Sequence, residues 1–205
     1  MFRLSTFTGG MAETNGYLFQ TGSASLIFDA PEGMADWLRG KNVRLDAIVL
    51  THQHFDHVLD AARIKEEHGC PILAFAPFSR DLTLERLFGA VTGSQFSVDE
   101  FSVDQVLEGG ENVAAGGLDW KLLHIPGHAP DSLCFHQPEL AIVFGGDVLF
   151  LDGVGRTDFP GGSGPLLISG ILSKLLTLRD DTRVYPGHGP DTTISRERAE
   201  NPFLQ

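Results

Sequence analysis

Apolar residues in the first thirty positions fall into short runs separated by turn residues: "FRLSTF" (2–7), "NGYLFQ" (15–20) and "SLIFDA" (25–30). Runs of that length bounded by Gly, Ser and Asn predict β-strands, here a meander. Residues 33–39 predict a helix, and "LDAIVL" (45–50), apolar without alternation, predicts a buried strand. The stretch "HVLDAARIKEEHG" that follows has apolar residues at 58, 59, 61, 62 and 64, the spacing of one helix closed by Gly69. Residues 71–75 predict another strand, and 77–104 a short helix over 79–88 followed by a loop. Strand patterns return in "FSVDQVL", "LDWKLLHI", "SLCFHQ" and "LAIVFGG", before a helical pattern over 165–178 and a strand at 183–185. Two runs of strands, each with helices, predict an α/β architecture of two sheets face to face with helices outside. With no internal repeat, linker or low-complexity segment in 205 residues, a single domain over 1–205 is expected.

Composition narrows the function. A hydrophobic fraction of 42% with 15 Phe supplies a core and excludes a disordered chain. The formal net charge of −12, with no cluster of Lys or Arg, argues against a nucleic-acid partner, because binding a polyphosphate requires clustered cations. The N-terminal segment lacks the basic-then-apolar order of a secretory signal and no run reaches membrane-spanning length, so no membrane partner and a cytoplasmic location are expected. Cys70 and Cys134 sit in no Cys-x-x-Cys pattern and are expected to be buried free thiols.

The chemistry concentrates in "LTHQHFDH" (50–57), which holds three of the eight histidines and a carboxylate. His52 and His54, two apart in extended backbone, point the same way, whereas Asp56 and His57 lie where the chain turns into the helix and aim elsewhere. Two pairs of donors on diverging directions suit two adjacent metals better than one. Three more candidates, each just beyond an apolar strand and preceded by Gly, are His128 in "HIPGHAPDS", Asp147 in "VFGGDVLF" and His188 in "VYPGHGPD". Gly127, Gly146 and Gly187 would allow close backbone approach or positive φ. His68, His124 and His136 show no ligand spacing and are given no metal role, and Asp131 is read as a turn residue. Gln53 and Phe55 are expected to point away from the donors.

"THQHFDH" followed in order by "GH", "GD" and "GH" resembles the metallo-β-lactamase fold superfamily, over essentially the whole chain. The resemblance implies a four-layer αββα sandwich, with one metal on His52, His54 and His128, another on Asp56, His57 and His188, and Asp147 bridging both. Within the superfamily, "GGDVLFLDGVGRTDFPGG" and "YPGHGPDTTISRERAENPFL" are most similar to short bacterial glyoxalase II-like hydrolases, which cleave hydroxyacylglutathione thioesters. The cofactors implied are two divalent ions, zinc first, with iron or manganese also suited to His and carboxylate donors. Asp56 and Asp147 are the catalytic carboxylates, and hydroxide from a water shared by the metals would attack the thioester carbonyl.

Two divalent ions, two carboxylates and one hydroxide leave a single net positive charge, which favours a small anionic, glutathione-derived thioester. Arg156 in "GVGRTDF" is a candidate for the substrate's carboxylate or, with Asp158, for a structural ion pair, and the pair is favoured. Tyr17 is a candidate neighbour of the cleft, since the first hairpin in this family overhangs the metals. A persulfide dioxygenase of the same fold, resembling the chain in "GRTDF", is the alternative; it would use one iron on His52, His128 and Asp147.

Overall fold

The computed structural model describes residues 2–93 and 97–205, which form two compact units, the first ending at Leu107 and the second beginning at Glu108. In the first unit β1 (Arg3–Gly9), β2 (Thr14–Gln20) and β3 (Ser25–Phe28) form the expected antiparallel meander. After α1 (Met34–Arg39) the chain returns as β4 (Ala47–Val49), passes through α2 (Phe55–Val58) and α3 (Ala61–His68), and returns again as β5 (Ile72–Ala74). It then runs through α4 (Arg80–Thr83) and α5 (Glu85–Thr92) to a two-residue strand β6 (Gln105–Val106). The sheet order is β1-β2-β3-β4-β5-β6, with the last three pairings parallel. Parallel neighbours need crossover connections, and helices provide each one. Strands β3, β4 and β5 are buried throughout, and Ile27, Ile48 and Ile72 pack with Met34, Leu38 and Ile64 from the helices.

The single helix expected after the histidine cluster is broken, and it starts earlier than its pattern suggests. Phe55 to Val58 are already helical, and α3 begins after Asp60. The break follows from competing bonds: the amide of Ala30 donates to the His57 carbonyl (2.7 Å), and the Asp60 amide donates to Ala30 (3.0 Å). The Asp60 carboxylate also accepts from the Ala35 amide (2.8 Å). Gly69 ends α3 with φ 62, as expected. The helix expected over 79–88 divides into α4 and α5 at Leu84, whose φ is 56, and residues 94–96 of the expected loop lie outside the described residues. The strand expected over 101–107 shrinks to β6, because its partner β5 spans only Ile72–Ala74 and, in the observed register, Ser102 lies beyond it; the Ser102 carbonyl accepts from Lys65 Nζ (2.8 Å).

The second unit contains β7 (Asn112–Ala115), β8 (Leu118–His124), β9 (Leu133–Gln137) and β10 (Ile142–Gly146), paired antiparallel in sequence. A small hairpin, β11 (Leu149–Phe150) and β12 (Gly153–Val154), leads to α6 (Gly164–Gly170) and then a π-helical turn, Ile171–Leu175. Strand β13 (Arg183–Pro186) lies parallel to β10 and pairs with β14 (Thr192–Thr193), after which α7 (Ile194–Glu200) follows. Strand β7 escaped the pattern reading, although Gly116 and Gly117, both at positive φ, mark its hairpin to β8. The core joins Ile125, Val143 and Val184 to Leu167, Ile171 and Leu175. Among the described residues no helix is long and apolar enough to cross a membrane.

Glu197 on α7 is fully buried and accepts from the Asp152 amide (3.0 Å), Asn201 Nδ2 (2.8 Å) and the Thr192 hydroxyl, tying the β11–β12 turn to the C-terminal helix. Glu197→Ala strands those donors and should lower unfolding free energy by about 3 kcal/mol, read from urea denaturation.

Both cysteines are buried free thiols, and burial raises the pKa of each, Cys134 from 9.0 to about 12. A thiol whose folded pKa lies above its unfolded value leaves stability intact below the unfolded pKa and removes it as pH rises. Stability should therefore decline from about pH 9 toward 12, and a thiol reagent at pH 8 should label Cys134 only after denaturation.

Candidate metal centre

In the first unit the donors stand just past the C-terminal end of β4, and one carboxylate organises them. Asp29, immediately after β3 at φ 59, accepts from the Thr51 amide (2.8 Å), the Thr51 hydroxyl (2.7 Å) and His57 Nδ1–H (2.9 Å). The Thr51 hydroxyl, its proton given to Asp29, lies 3.1 Å from His52 Nδ1 and can accept from it. Both imidazoles thereby carry their proton on Nδ1 and keep the Nε2 lone pair for a metal. The ring centroids of His52 lie 4.6 Å from those of His54 and 4.1 Å from those of His57. Asp56 is set by the buried Thr14, whose hydroxyl donates to Oδ2 (2.7 Å), and that oxygen is 3.5 Å from His57 Nε2. Gln53 and Phe55 point away as expected. Gln53 binds the carbonyls of Ala76 (3.0 Å) and Pro77 (3.1 Å), and Phe55 packs on Phe88 with centroids 4.6 Å apart.

In the second unit His128, Asp147 and His188 follow strand ends and come together. Gly127 has φ 133 and faces α6 so closely that a Cβ would fall 2.5 Å from the Leu167 nitrogen and the Ser163 carbonyl oxygen. His128 Nδ1–H donates to the Arg156 carbonyl (2.9 Å), which again keeps the Nε2 lone pair available for a metal. Asp147 Oδ2 lies 3.5 Å from His128 Nε2 and 3.3 Å from His188 Nε2. Of the two uses expected of these glycines, Gly146 takes positive φ (50), while Gly187 has a close backbone approach, its amide donating to the Gly146 carbonyl (2.8 Å), and Gly189 makes the left-handed turn.

The remaining candidates sit as follows. Arg156 forms a two-pronged ion pair with Asp158 (2.7 and 2.6 Å) and lies over the Phe159 ring, the structural role favoured from sequence; the pair holds the Asp158 carboxyl down at about 2. Tyr17 is buried in β2, in register between Thr6 and Phe28. Asp131 is buried in the turn before β9. His124 Nε2 lies 2.8 Å from the Pro130 carbonyl, and burial lowers the His136 pKa, keeping that ring neutral. The orienting residues Asp29, Thr51 and Thr14 were not singled out from the sequence. Asp29 had a usable signal, being a carboxylate at the end of an apolar strand, as Asp147 is.

The donor set fits divalent ions. Tetrahedral ligands at about 2.0–2.1 Å from zinc are separated by about 3.3–3.4 Å. The three donor–donor separations of 3.3 to 3.5 Å fall beside that value, and they are too long for strong hydrogen bonds. In each unit they join imidazole nitrogen to carboxylate oxygen, a mixture suited to zinc, iron or manganese.

Comparison with known proteins agrees. The profile of the Metallo-beta-lactamase superfamily matches residues 10–188, and the chain belongs to that superfamily. Among curated relatives, the Haemophilus influenzae hydroxyacylglutathione hydrolase GloC is 38% identical over 80% of this chain and 77% of its own. The Bacillus subtilis probable metallo-hydrolase YqgX is 34% identical over 95% and 94%. Among solved structures, the BLEG-1 B3 metallo-beta-lactamase superposes with a TM-score of 0.87 at 30% identity, covering 98% of this chain and 99% of that one. The di-iron-bound form of TTHA1623 gives 0.84 at 36% identity, covering 98% and 100%. ETHE1 from Myxococcus xanthus gives 0.78 at 25%, covering 98% and 83%. The chain therefore has the metallo-β-lactamase fold, the αββα class expected from its sequence, and its relatives include metallo-hydrolases.

Asp29→Ala removes the acceptor that sets the His57 tautomer and should weaken divalent-ion binding by about 10- to 100-fold. Competition with a chromogenic chelator measures this. Asp29→Asn, which keeps one acceptor oxygen, should fall between Ala and the native residue.

Proposed function

We propose that the chain is a dinuclear metal-dependent thioesterase of the glyoxalase II type, cleaving S-2-hydroxyacylglutathione to glutathione and a 2-hydroxy acid. One metal would be held by His52, His54 and His128, the other by Asp56, His57 and His188, with Asp147 shared, and residues 1–205 would act as one hydrolase domain. The observation that carries the reading is Asp147 Oδ2, one oxygen within 3.5 Å of two imidazole Nε2 atoms, as a bridging ligand requires. Support for the substrate comes from the 38% identity to a hydroxyacylglutathione hydrolase, and support for two metals from a 36% identical neighbour solved with two irons. Zinc is the preferred resident metal.

Bound there, the two ions would supply Lewis acidity and a nucleophile available at neutral pH. The chain's own residues prepare the site. Asp29 and the Arg156 carbonyl hold the Nδ1 protons of His57 and His128, so the Nε2 atoms of these rings stay neutral donors. Thr14 fixes one oxygen of Asp56. Asp56 and Asp147 are the anionic members of an otherwise neutral imidazole set, limiting its positive charge while leaving it attractive to an anionic substrate. The leaving thiolate, with a pKa of about 8.5, departs without a protein acid. Unpaired, buried cysteines suit the reducing cytoplasm we assign to the enzyme.

The purified protein should contain close to two metals per chain and hydrolyse S-D-lactoylglutathione. Asp147→Ala should lower kcat/KM by more than about 100-fold, because losing a ligand should exceed the effect of losing a ligand's support. One iron per chain with oxygen consumption on glutathione persulfide would instead establish the dioxygenase reading, and turnover of a chromogenic β-lactam without thioester cleavage would refute the substrate class.

A further inference from the structure

After β12 the chain loops back across the segment that carries His128. The His128 Nδ1–H bond to the Arg156 carbonyl (2.9 Å) makes this loop an orienting element, because a carbonyl can only accept and so fixes the ring proton on Nδ1. A carbonyl has no side chain of its own to hold it in place, so its position depends on the loop's other contacts. At Gly155 a Cβ would fall 1.9 Å from the Asp147 carbonyl oxygen and 3.0 Å from His128 Cβ, so the backbone there is pressed against both donors. At Gly161 a Cβ would meet Pro130 Cγ at 2.6 Å, and the Ser163 amide donates to the Gly127 carbonyl (2.7 Å). Between these anchors the Arg156 guanidinium grips Asp158 with two parallel bonds, 2.7 and 2.6 Å, and its carbon lies 3.9 Å from the Phe159 ring centroid.

The pair is exposed, with 56% and 64% of the two side chains accessible, and exposed ion pairs contribute little to stability. What a planar, two-pronged, ring-stacked guanidinium does contribute is direction. It links residues 156, 158 and 159 in one turn whose first carbonyl faces His128. The guanidinium edge facing Asp158 is already occupied, which disfavours its use as an anchor for a substrate carboxylate.

We propose that Arg156 is a positioning residue: clasped by Asp158 and Phe159, it holds its own carbonyl on His128 Nδ1–H and so aims Nε2 at the metal. The inference rests on the reading of His128 as a ligand, and it assigns the charged pair to metal binding instead of substrate binding.

Three variants test it: Arg156→Ala, Arg156→Lys, which keeps the charge but loses the fork, and Asp158→Asn. Long-range 1H–15N spectra of the metal-free protein should show His128 protonated on Nδ1 in the native chain and a mixture of tautomers in all three variants. Zinc affinity, from competition with a fluorescent chelator, should fall about 10-fold or more. Melting temperature should change by no more than about 2 °C, as expected for an exposed pair. An unchanged tautomer with unchanged zinc affinity would overturn the proposal, and so would a rise in KM for the thioester with neither quantity altered, since that is the signature of a substrate anchor. Should Arg156→Ala fail to fold, the surface change Asp158→Asn decides alone. If the native protein binds no divalent metal, the proposed function fails, while the tautomer measurement still judges the clasp.

Discussion

The Asp29 carboxylate is the contact on which the candidate donors of the first unit depend. Because β3 and β4 are parallel and in register, with Phe28 opposite Val49, both strands finish at the same level and the residues that follow them meet. Asp29 turns into the left-handed region there and accepts from the Thr51 amide, the Thr51 hydroxyl and the His57 ring. One buried anion therefore stops the ligand loop from rotating, selects the His57 tautomer and, through Thr51, favours the matching tautomer of His52. Removing it would leave several buried donors without their acceptor, a cost that falls on the site before it falls on the fold.

The second unit meets the same requirement without a carboxylate. The proton of His128 goes to a main-chain carbonyl, and glycines supply the closeness that this needs: Gly127 against α6 and Gly155 against Asp147. A carboxylate orients by its own charge, whereas a carbonyl orients only as well as the loop bearing it is held. This explains why a surface ion pair bears on a buried donor. Asp147 Oδ2, 3.5 Å from His128 Nε2 and 3.3 Å from His188 Nε2, keeps a carboxylate oxygen beside both rings of this unit.

How much was legible can be judged residue by residue. The donors could be read because their chemistry is carried by residue type: few roles other than metal binding place three imidazoles and a carboxylate in six consecutive positions. The meander and the strands leading to the donors could be read because burial writes itself as apolar runs. The helix after His57 departs from its pattern in start and continuity, since α2 and the break at Asp60 are set by bonds to Ala30 and Ala35, more than twenty residues away. Likewise β6 is short because its partner β5 spans only Ile72–Ala74, a limit that no local pattern in residues 101–107 encodes.

The sequence by itself determined the class of fold and which side chains are candidate donors, in which order, because side-chain chemistry and hydrophobic period are local properties. Tertiary structure alone decided which nitrogen of His52, His57 and His128 is left available for a metal, since that depends on Asp29, Thr51 and the Arg156 carbonyl arriving from elsewhere in the chain. It also decided that Arg156 meets Asp158 and Phe159, because the direction of a guanidinium is settled by its partners and not by its position in the sequence.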